Sequence, residues 1–143
     1  SHVKMASVSP DVQWRVLRKH SCFIRKCGKS KFTLEPNNLK NRHSYRNNGL
    51  IHKKTVGIEA ARDGKGVVLV MKKKKGQNKP AKMYNRVLFK KDWRSNLKGI
   101  ANSINGYRDD LKMAALRRAS AIHMSQKRSN FVKKKRTPRA KTT

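Results

Sequence analysis

Acidic residues are scarce in this 143-residue chain, which has seven Asp and Glu against 38 Lys and Arg. The formal net charge is therefore +31, with His counted as neutral. Repulsion on this scale opposes the compact state unless a partner or counterions neutralise it. Nucleic acid supplies closely spaced phosphates, and each phosphate contact by Lys or Arg releases condensed counterions. The charge thus predicts a polyanionic partner, with nucleic acid as the first candidate.

Membrane features are lacking as well. The sequence has no run of about 18 apolar residues, the length that a spanning helix needs. Residues 1–20 also lack the apolar core of a signal peptide. An anionic membrane surface would favour a basic amphipathic helix with large apolar residues opposite. We therefore expect an intracellular protein with no membrane partner.

Cysteine is rare, and the chain has two cysteines, Cys22 and Cys27. A structural zinc site has four ligands, usually from two short-spaced pairs, and the sequence has no second cysteine pair. Adding His20 and His43 would complete four ligands with an unusual spacing. The sequence favours reduced thiols over zinc, so no metal is expected.

Groups suited to catalysis are scarce too. The seven acids are scattered, and no nucleophile stands beside an evident base. Asp109 and Asp110 are adjacent, but they suit the positive end of a helix better than acid–base chemistry. The triplet 28–30 resembles the end of a phosphate-binding loop, yet Phe23 occupies the position where that loop needs glycine. The sequence predicts no enzymatic activity, no cofactor and no small-molecule substrate.

The first half of the chain predicts a helix followed by two hairpins. Ser9, Pro10 and Asp11 form a helix start, so we expect a short helix over residues 10–19. Strand-forming runs at 22–24 and 31–34 surround Gly28 and predict a first hairpin. A second hairpin is expected from 55–59 and 66–71, with the turn residues of 63–66 between them. Residues 67–71 are apolar on both faces, which indicates a central, covered strand, and 83–89 predict a further strand.

The second half predicts two helices and a tail. Asp92 is an N-cap and Gly106 a stop for a helix whose apolar stripe is Trp93, Leu97, Ile100, Ala101 and Ile104. A second helix is predicted to start at Asp109. The residues on its core-facing side are Leu111, Ala114, Ala115, Ala119 and Ile122. The expected fold is α+β: a short N-terminal helix, a small antiparallel sheet of two hairpins, two C-terminal helices and a basic extended tail. The predicted domains are 1–126, a small RNA-binding body, and 127–143, the tail.

Residues 35–49 are rich in asparagine, interleaved with basic and aromatic side chains. Asparagine tolerates left-handed backbone and carries both donor and acceptor, while Arg and Tyr stack on unpaired bases. We interpret this segment as a long recognition loop; the alternative is a polar connector. The candidate RNA-binding residues here are Asn37, Asn38, Lys40, Arg42, Tyr45, Arg46 and Asn47.

Basic clusters elsewhere supply candidate phosphate contacts. In the body these are Lys53, Lys54, Lys72, Lys73, Lys74, Lys75, Arg117 and Arg118. The tail has eight basic residues and no acid between 127 and 143. Its candidates are Lys133, Lys134, Lys135, Arg136 and Arg139. We expect the tail to order on binding RNA, against the alternative of a solvated disordered tail.

Four strings in order, at 35–42, 48–57, 63–68 and 110–122, resemble the eukaryotic large-subunit ribosomal protein family numbered twenty-eight. The resemblance covers residues 12–128. It implies a non-catalytic constituent of the large subunit of the cytoplasmic ribosome, assembled by way of the nucleolus. The implied partners are large-subunit ribosomal RNA and neighbouring ribosomal proteins, with no homo-oligomer. Residues 72–93 and the tail match the family in charge more than in residues.

Two other functions stay open at this stage. A nuclear ribosome-assembly factor of the Mak-sixteen type has a comparable Gln13-Trp14 start and a comparable stretch at 41–44. That factor carries further cysteines, whereas this chain has Tyr45 after the stretch and no cysteine beyond Cys27, which favours the ribosomal protein. A sequence-independent DNA-packing protein is consistent with the charge alone.

Overall fold

The computed structural model describes residues 8–75 and 79–129, with side chains as far as Lys127. Over these residues the chain forms three α-helices, two short 3₁₀ helices and five strands in two antiparallel sheets. The α+β class, the N-terminal helix and the two C-terminal helices are confirmed. The candidates Lys133, Lys134, Lys135, Arg136 and Arg139 lie outside the described residues.

Helix α1 spans Pro10–His20 and starts as its sequence predicts. The Val12 amide donates to Oγ of Ser9 over 3.5 Å, Pro10 occupies the first turn, and Asp11 complements the positive helix end. No residue of α1 is buried. The helix therefore lies on the outside of the molecule and is held by a few side chains.

The first hairpin forms a sheet of its own. Strands β1 (Ile24–Cys27) and β2 (Ser30–Thr33) pair antiparallel, and Gly28 in the turn has φ +56°. The predicted single sheet of two hairpins is thus divided into two sheets. The reason is that β2 uses its other edge for the asparagine-rich loop: the Thr33 amide donates to the Asn41 carbonyl oxygen over 2.9 Å.

The second sheet has three strands in sequence order. Strand β4 (Val67–Lys72) lies between β3 (Val56–Ala60) and β5 (Tyr84–Phe89). The register pairs Ile58 with Leu69, and Leu69 with Val87. Val67, Leu69 and Val70 are each at most 1% exposed, so the predicted central strand is confirmed.

Helices α2 (Trp93–Ile104) and α3 (Lys112–Ser129) follow, with a 3₁₀ turn at Asp109–Leu111 between them. Alternate residues of β3 and β4 face α3, since strand side chains alternate between faces. The buried core consists of Leu39, Val56, Ile58, Val67, Leu69, Ile100, Ile104, Leu111, Ala114, Ala115 and Ala119. The small alanines of α3 let the helix pack close to β3. Helix α3 runs past residue 126, the predicted end of the folded body.

Candidate nucleic-acid interface

The asparagine-rich loop, residues 35–49, is built around the buried carboxylate of Glu35, which is 5% exposed. The Asn38 and Asn48 amide nitrogens each donate to this carboxylate over 2.8 Å, and the Gly49 amide donates over 3.2 Å. A buried charge is tolerated when hydrogen bonds replace its lost hydration. Glu35 therefore organises the loop from its inside.

The same asparagines shape the backbone of the loop. Asn48 Oδ1 accepts from the amides of Leu50 and Ile51, and Asn38 Oδ1 accepts from the Lys40 amide. Asn37 and Asn41 have φ of 59° and 52°, in the left-handed region that asparagine tolerates. The asparagine content thus serves the architecture of the loop, and Asn38 is buried with its side-chain atoms used inside the protein.

Asn37 packs the asparagine-rich loop closely against strand β3. A Cβ atom on Gly57 would lie 2.1 Å from Oδ1 of Asn37, and one on Gly49 would lie 2.1 Å from the Pro36 carbonyl oxygen. Only glycine leaves room for approaches this close. Asn47 donates to Oγ of Ser44 over 2.8 Å, while its own Oδ1 is buried with no partner among the described residues.

Arg118 joins the loop to α3. Its Nε donates to the Ile58 carbonyl oxygen over 3.1 Å, and Nη1 donates to the carbonyl oxygens of Leu39 and Asn38 over 3.2 and 3.3 Å. Nη1 also lies 3.2 Å from Asn41 Oδ1. These contacts make Arg118 a positioning residue, whereas its neighbour Arg117 is exposed.

Arg108 is a second guanidinium link, and it is not among the functional residues that the sequence predicts. It donates to the carbonyl oxygens of Lys54 and Arg46 over 3.0 and 3.1 Å, and its Nε and Nη2 each lie 2.8 Å from the Asp110 carboxylate. Hydrogen bonding to Arg108 lowers the pKa of Asp110. Both acids lie in the first turn of the helical segment, as the sequence predicts. Asp110 pairs in addition with Arg108, and Asp109 accepts from the Gly106 amide over 3.0 Å. No local pattern signals contacts so distant in sequence.

An aromatic cluster fastens α1 to the loop. The Trp14 ring lies 5.0 Å from His43 and 6.0 Å from Tyr45, and Tyr45 lies 4.8 Å from His52, centroid to centroid. A hydrogen bond to the Asp11 carboxylate raises the pKa of Tyr45. The candidate stacking residue Tyr45 is therefore half-buried and already engaged by protein side chains.

Two predicted lysine clusters come together at one end of the second sheet. Because β3 and β4 are antiparallel, residues 53–54 before β3 lie beside residues 72–75 at the end of β4, and the Lys72 amide donates to the Thr55 carbonyl oxygen over 3.2 Å. The exposed members, here called the lysine edge, are Lys53, Lys54, Lys73, Lys74 and Lys75.

Lys72 and Tyr107 form the inner side of the lysine edge. Lys72 is half-buried, its Nζ donates to the His52 carbonyl oxygen over 3.3 Å, and desolvation lowers its pKa. The Tyr107 hydroxyl donates to the Lys72 carbonyl oxygen over 2.6 Å, and Lys54 Nζ lies 5.4 Å from the Tyr107 ring centroid. The edge is thereby attached to the segment that joins the two C-terminal helices.

The other basic candidates, Lys40, Arg42 and Arg46, are exposed around the asparagine-rich loop. Within residues 8–75 and 79–129, the structure has no cluster of three or more His, Cys, Asp or Glu suited to a metal ion. Cys22 and Cys27 are exposed free thiols. Over the same part of the chain, no helix combines the length and apolar character needed to cross a bilayer.

Comparison with known proteins gives a consistent family. The model of the Ribosomal L28e protein family matches residues 12–125. Large ribosomal subunit protein eL28 of Schizosaccharomyces pombe is 39% identical over 128 residues, covering 85% of this chain and 95% of that protein. The protein of the same name from Caenorhabditis elegans is 34% identical over 130 residues, covering 89% and 98%. The chain belongs to the Ribosomal L28e protein family.

Proposed function

We propose that this protein is a structural constituent of the large subunit of the cytoplasmic ribosome, where it binds and stabilises ribosomal RNA. The observation that carries the proposal is the family match over residues 12–125, together with relatives named as large-subunit ribosomal proteins. The net charge of +31 supports RNA as the direct partner. Neighbouring ribosomal proteins are further partners, and assembly passes through the nucleolus.

The lysine edge is the proposed main phosphate contact. Its lysines are exposed, and the backbone beside them is held by Arg108, Tyr107 and the strand pairing, so binding orders little further backbone. Phosphate contacts position a protein on nucleic acid without reading its sequence. Lys40, Arg42, Arg46 and Arg117 are exposed and extend the basic surface.

The asparagine-rich loop supplies shape. Glu35 and Arg118 hold its backbone from inside. Asn37, Asn47 and Tyr45 are packed against other protein groups, so in this proposal they fix the outline of a firm surface that fits RNA shape or unpaired bases. Asn38, Lys72 and Arg118, candidates for direct contact, act in this proposal through the backbone that they hold. Residues of the tail, Lys133, Lys134, Lys135, Arg136 and Arg139, extend the contact to neighbouring RNA segments. Neutralisation and positioning are the whole mechanism, with no chemical step, cofactor or small-molecule substrate.

Sedimentation of the tagged protein from a cell extract tests the proposal. We expect it to travel with cytoplasmic large subunits and to stay there through a moderate salt wash. Recovery only in free or chromatin fractions would contradict the proposal and favour DNA packing. Recovery only in nuclear precursor particles would instead favour an assembly factor. In a binding competition, folded ribosomal RNA should displace duplex DNA at every salt concentration.

A further inference from the structure

A second basic site lies at the opposite end of β4 from the lysine edge. The turn between β3 and β4, the segment after β5, and the end of α3 line an open pocket of about 340 Å³. Its polar lining includes Lys65, Lys90, Lys91, His123 and Lys127. None of these is among the candidate residues of the sequence analysis. We call this site the turn pocket.

The β3–β4 turn is held in place by a two-bond clasp to α3. The Gln126 amide nitrogen donates to the Gly66 carbonyl oxygen over 2.9 Å, and the Gly66 amide donates back to Gln126 Oε1 over 3.2 Å. Gly66 has φ +96°, and a Cβ there would lie 2.5 Å from the Phe89 carbonyl oxygen. The turn that carries Lys65 is therefore fixed against both the helix and β5.

The opposite wall is fixed as well. The buried Asn96 donates from Nδ2 to the Lys91 carbonyl oxygen over 2.7 Å, while its Oδ1 has no partner among the described residues. The His123 ring stacks on Trp93 with centroids 4.3 Å apart and planes 9° from parallel. The pocket thus has walls set by packing and hydrogen bonds, a property that separates a built site from loose surface lysines.

Most of the positive charge in the turn pocket has no carboxylate partner among the described residues. Lys90 pairs with the Asp63 carboxylate, and that hydrogen bond lowers the pKa of Asp63. In the described part of the chain, no carboxylate lies within 4.0 Å of the ammonium groups of Lys65, Lys91 or Lys127. Three cations and an imidazole around a concave site suit an anion with several acceptor oxygens.

We propose that the turn pocket binds one phosphodiester group of the ribosomal RNA, contacted jointly by Lys65, Lys91 and Lys127, with His123 donating a ring N–H. This inference rests on the proposed function, because it assumes that RNA is the partner. It gives the protein two anchoring points at opposite ends of one strand.

The test uses the full chain and large-subunit ribosomal RNA, with affinity measured against salt concentration. The triple variant Lys65→Gln/Lys91→Gln/Lys127→Gln is compared with Lys26→Gln/Lys29→Gln/Lys31→Gln, which removes the same charge from the exposed first hairpin. We expect the pocket variant to bind about tenfold more weakly than the control. Since one phosphate is shared, its salt slope should fall by about 0.7–0.9, and the three single variants should be strongly non-additive.

Equal losses of RNA affinity and of salt slope in the two triple variants would contradict the proposal that the turn pocket binds a phosphodiester group. A slope change near three times the single-phosphate value, with additive single variants, would also overturn it, because the lysines would then contact separate phosphates. RNA binding unchanged in the pocket variant, with loss from sedimenting subunits, would assign the pocket to an acidic protein segment instead. If the unmodified chain shows no preference for ribosomal RNA over duplex DNA, the proposed function fails, whatever the variants do.

Discussion

The asparagine-rich loop and the lysine edge are both polar, yet they use their polar atoms in opposite ways. In the loop, the side chains of Glu35, Asn38 and Asn48 bond to each other and to backbone amides. At the lysine edge, the lysine residues are exposed at the surface. The loop is therefore a self-supporting shape, and the edge is a source of positive charge.

The difference follows from the chemistry of the side chains. An asparagine carries a donor and an acceptor, so neighbouring backbone groups can satisfy it fully inside a protein. A lysine ammonium has three donors, no acceptor and strong hydration, so burying it is costly. Lys72 shows the cost directly: it is the half-buried member of its run, and desolvation lowers its pKa.

The largest expected effect tests whether Glu35 organises the loop. Replacing Glu35→Ala leaves the Asn48 and Gly49 donors without their acceptor inside the protein, so the free energy of unfolding should fall by about 3 kcal/mol. Urea unfolding followed by circular dichroism measures this change. Glu59→Ala is the control, since Glu59 forms an exposed ion pair with Arg86 and its loss should cost less than about 1 kcal/mol. Similar costs for the two would refute the central role of Glu35.

Neighbouring arginines of α3 separate positioning from contact. Arg118→Met removes three bonds to carbonyl oxygens and should lower the free energy of unfolding by about 2 kcal/mol. Arg117→Met changes the same charge at an exposed position and should stay within about 0.5 kcal/mol of the parent protein. In RNA binding we expect the larger effect from the other variant. The slope of RNA affinity against salt concentration should fall for Arg117→Met and stay unchanged for Arg118→Met that is folded. An equal change of the salt slope in the two variants would show that Arg118 also contacts RNA directly.

The lysine edge should behave as charge alone. Lys73→Gln/Lys74→Gln/Lys75→Gln should weaken RNA binding by about tenfold or more at physiological salt, and flatten the salt dependence by about 2 in slope. The free energy of unfolding should hold, because these side chains are exposed. The matching triple Lys→Arg variant keeps the charge and should keep the slope. An unchanged slope in the Gln variant would remove the edge from the binding surface.

The smallest effect concerns the ion pair that links loop and edge. Arg108 contacts the backbone of Arg46 and Lys54, and it lowers the pKa of its partner Asp110. A depressed carboxylate pKa stabilises the fold above the ordinary Asp value, and the contribution is lost as pH falls through the folded pKa. Asp110→Asn should therefore cost under about 1 kcal/mol at neutral pH.

The pH profile of that variant is the check. Unfolding free energies of parent and variant should converge as pH falls through the lowered folded pKa of Asp110, because the carboxylate is then protonated in both states. A difference that persists unchanged at low pH would show that the Asp110 side chain acts through packing instead of charge.

Local elements of this fold are predictable because their signals are local. Ser9, Asp92 and Gly106 set helix ends by capping and by positive φ, and the turn residues around Gly28 and Gly64 set the hairpins. The division into two sheets was not predicted, because it depends on β2 pairing with the loop at Asn41. The predicted RNA-binding residues also include two roles, since exposure decides whether a basic residue contacts a partner or holds the fold.

Sequence by itself determined that this protein carries a large positive charge, contains three helices and two hairpins, and shares ordered motifs with one ribosomal family. Tertiary structure alone decided which polar side chains are exposed to a partner and which are bonded within the protein. Arg118 and Arg117 are adjacent and chemically identical, yet one faces three carbonyl oxygens and the other is exposed. The physical reason is that burial and hydrogen-bond partners come from residues distant in the chain, as with Arg108 and Arg46 or Gln126 and Gly66.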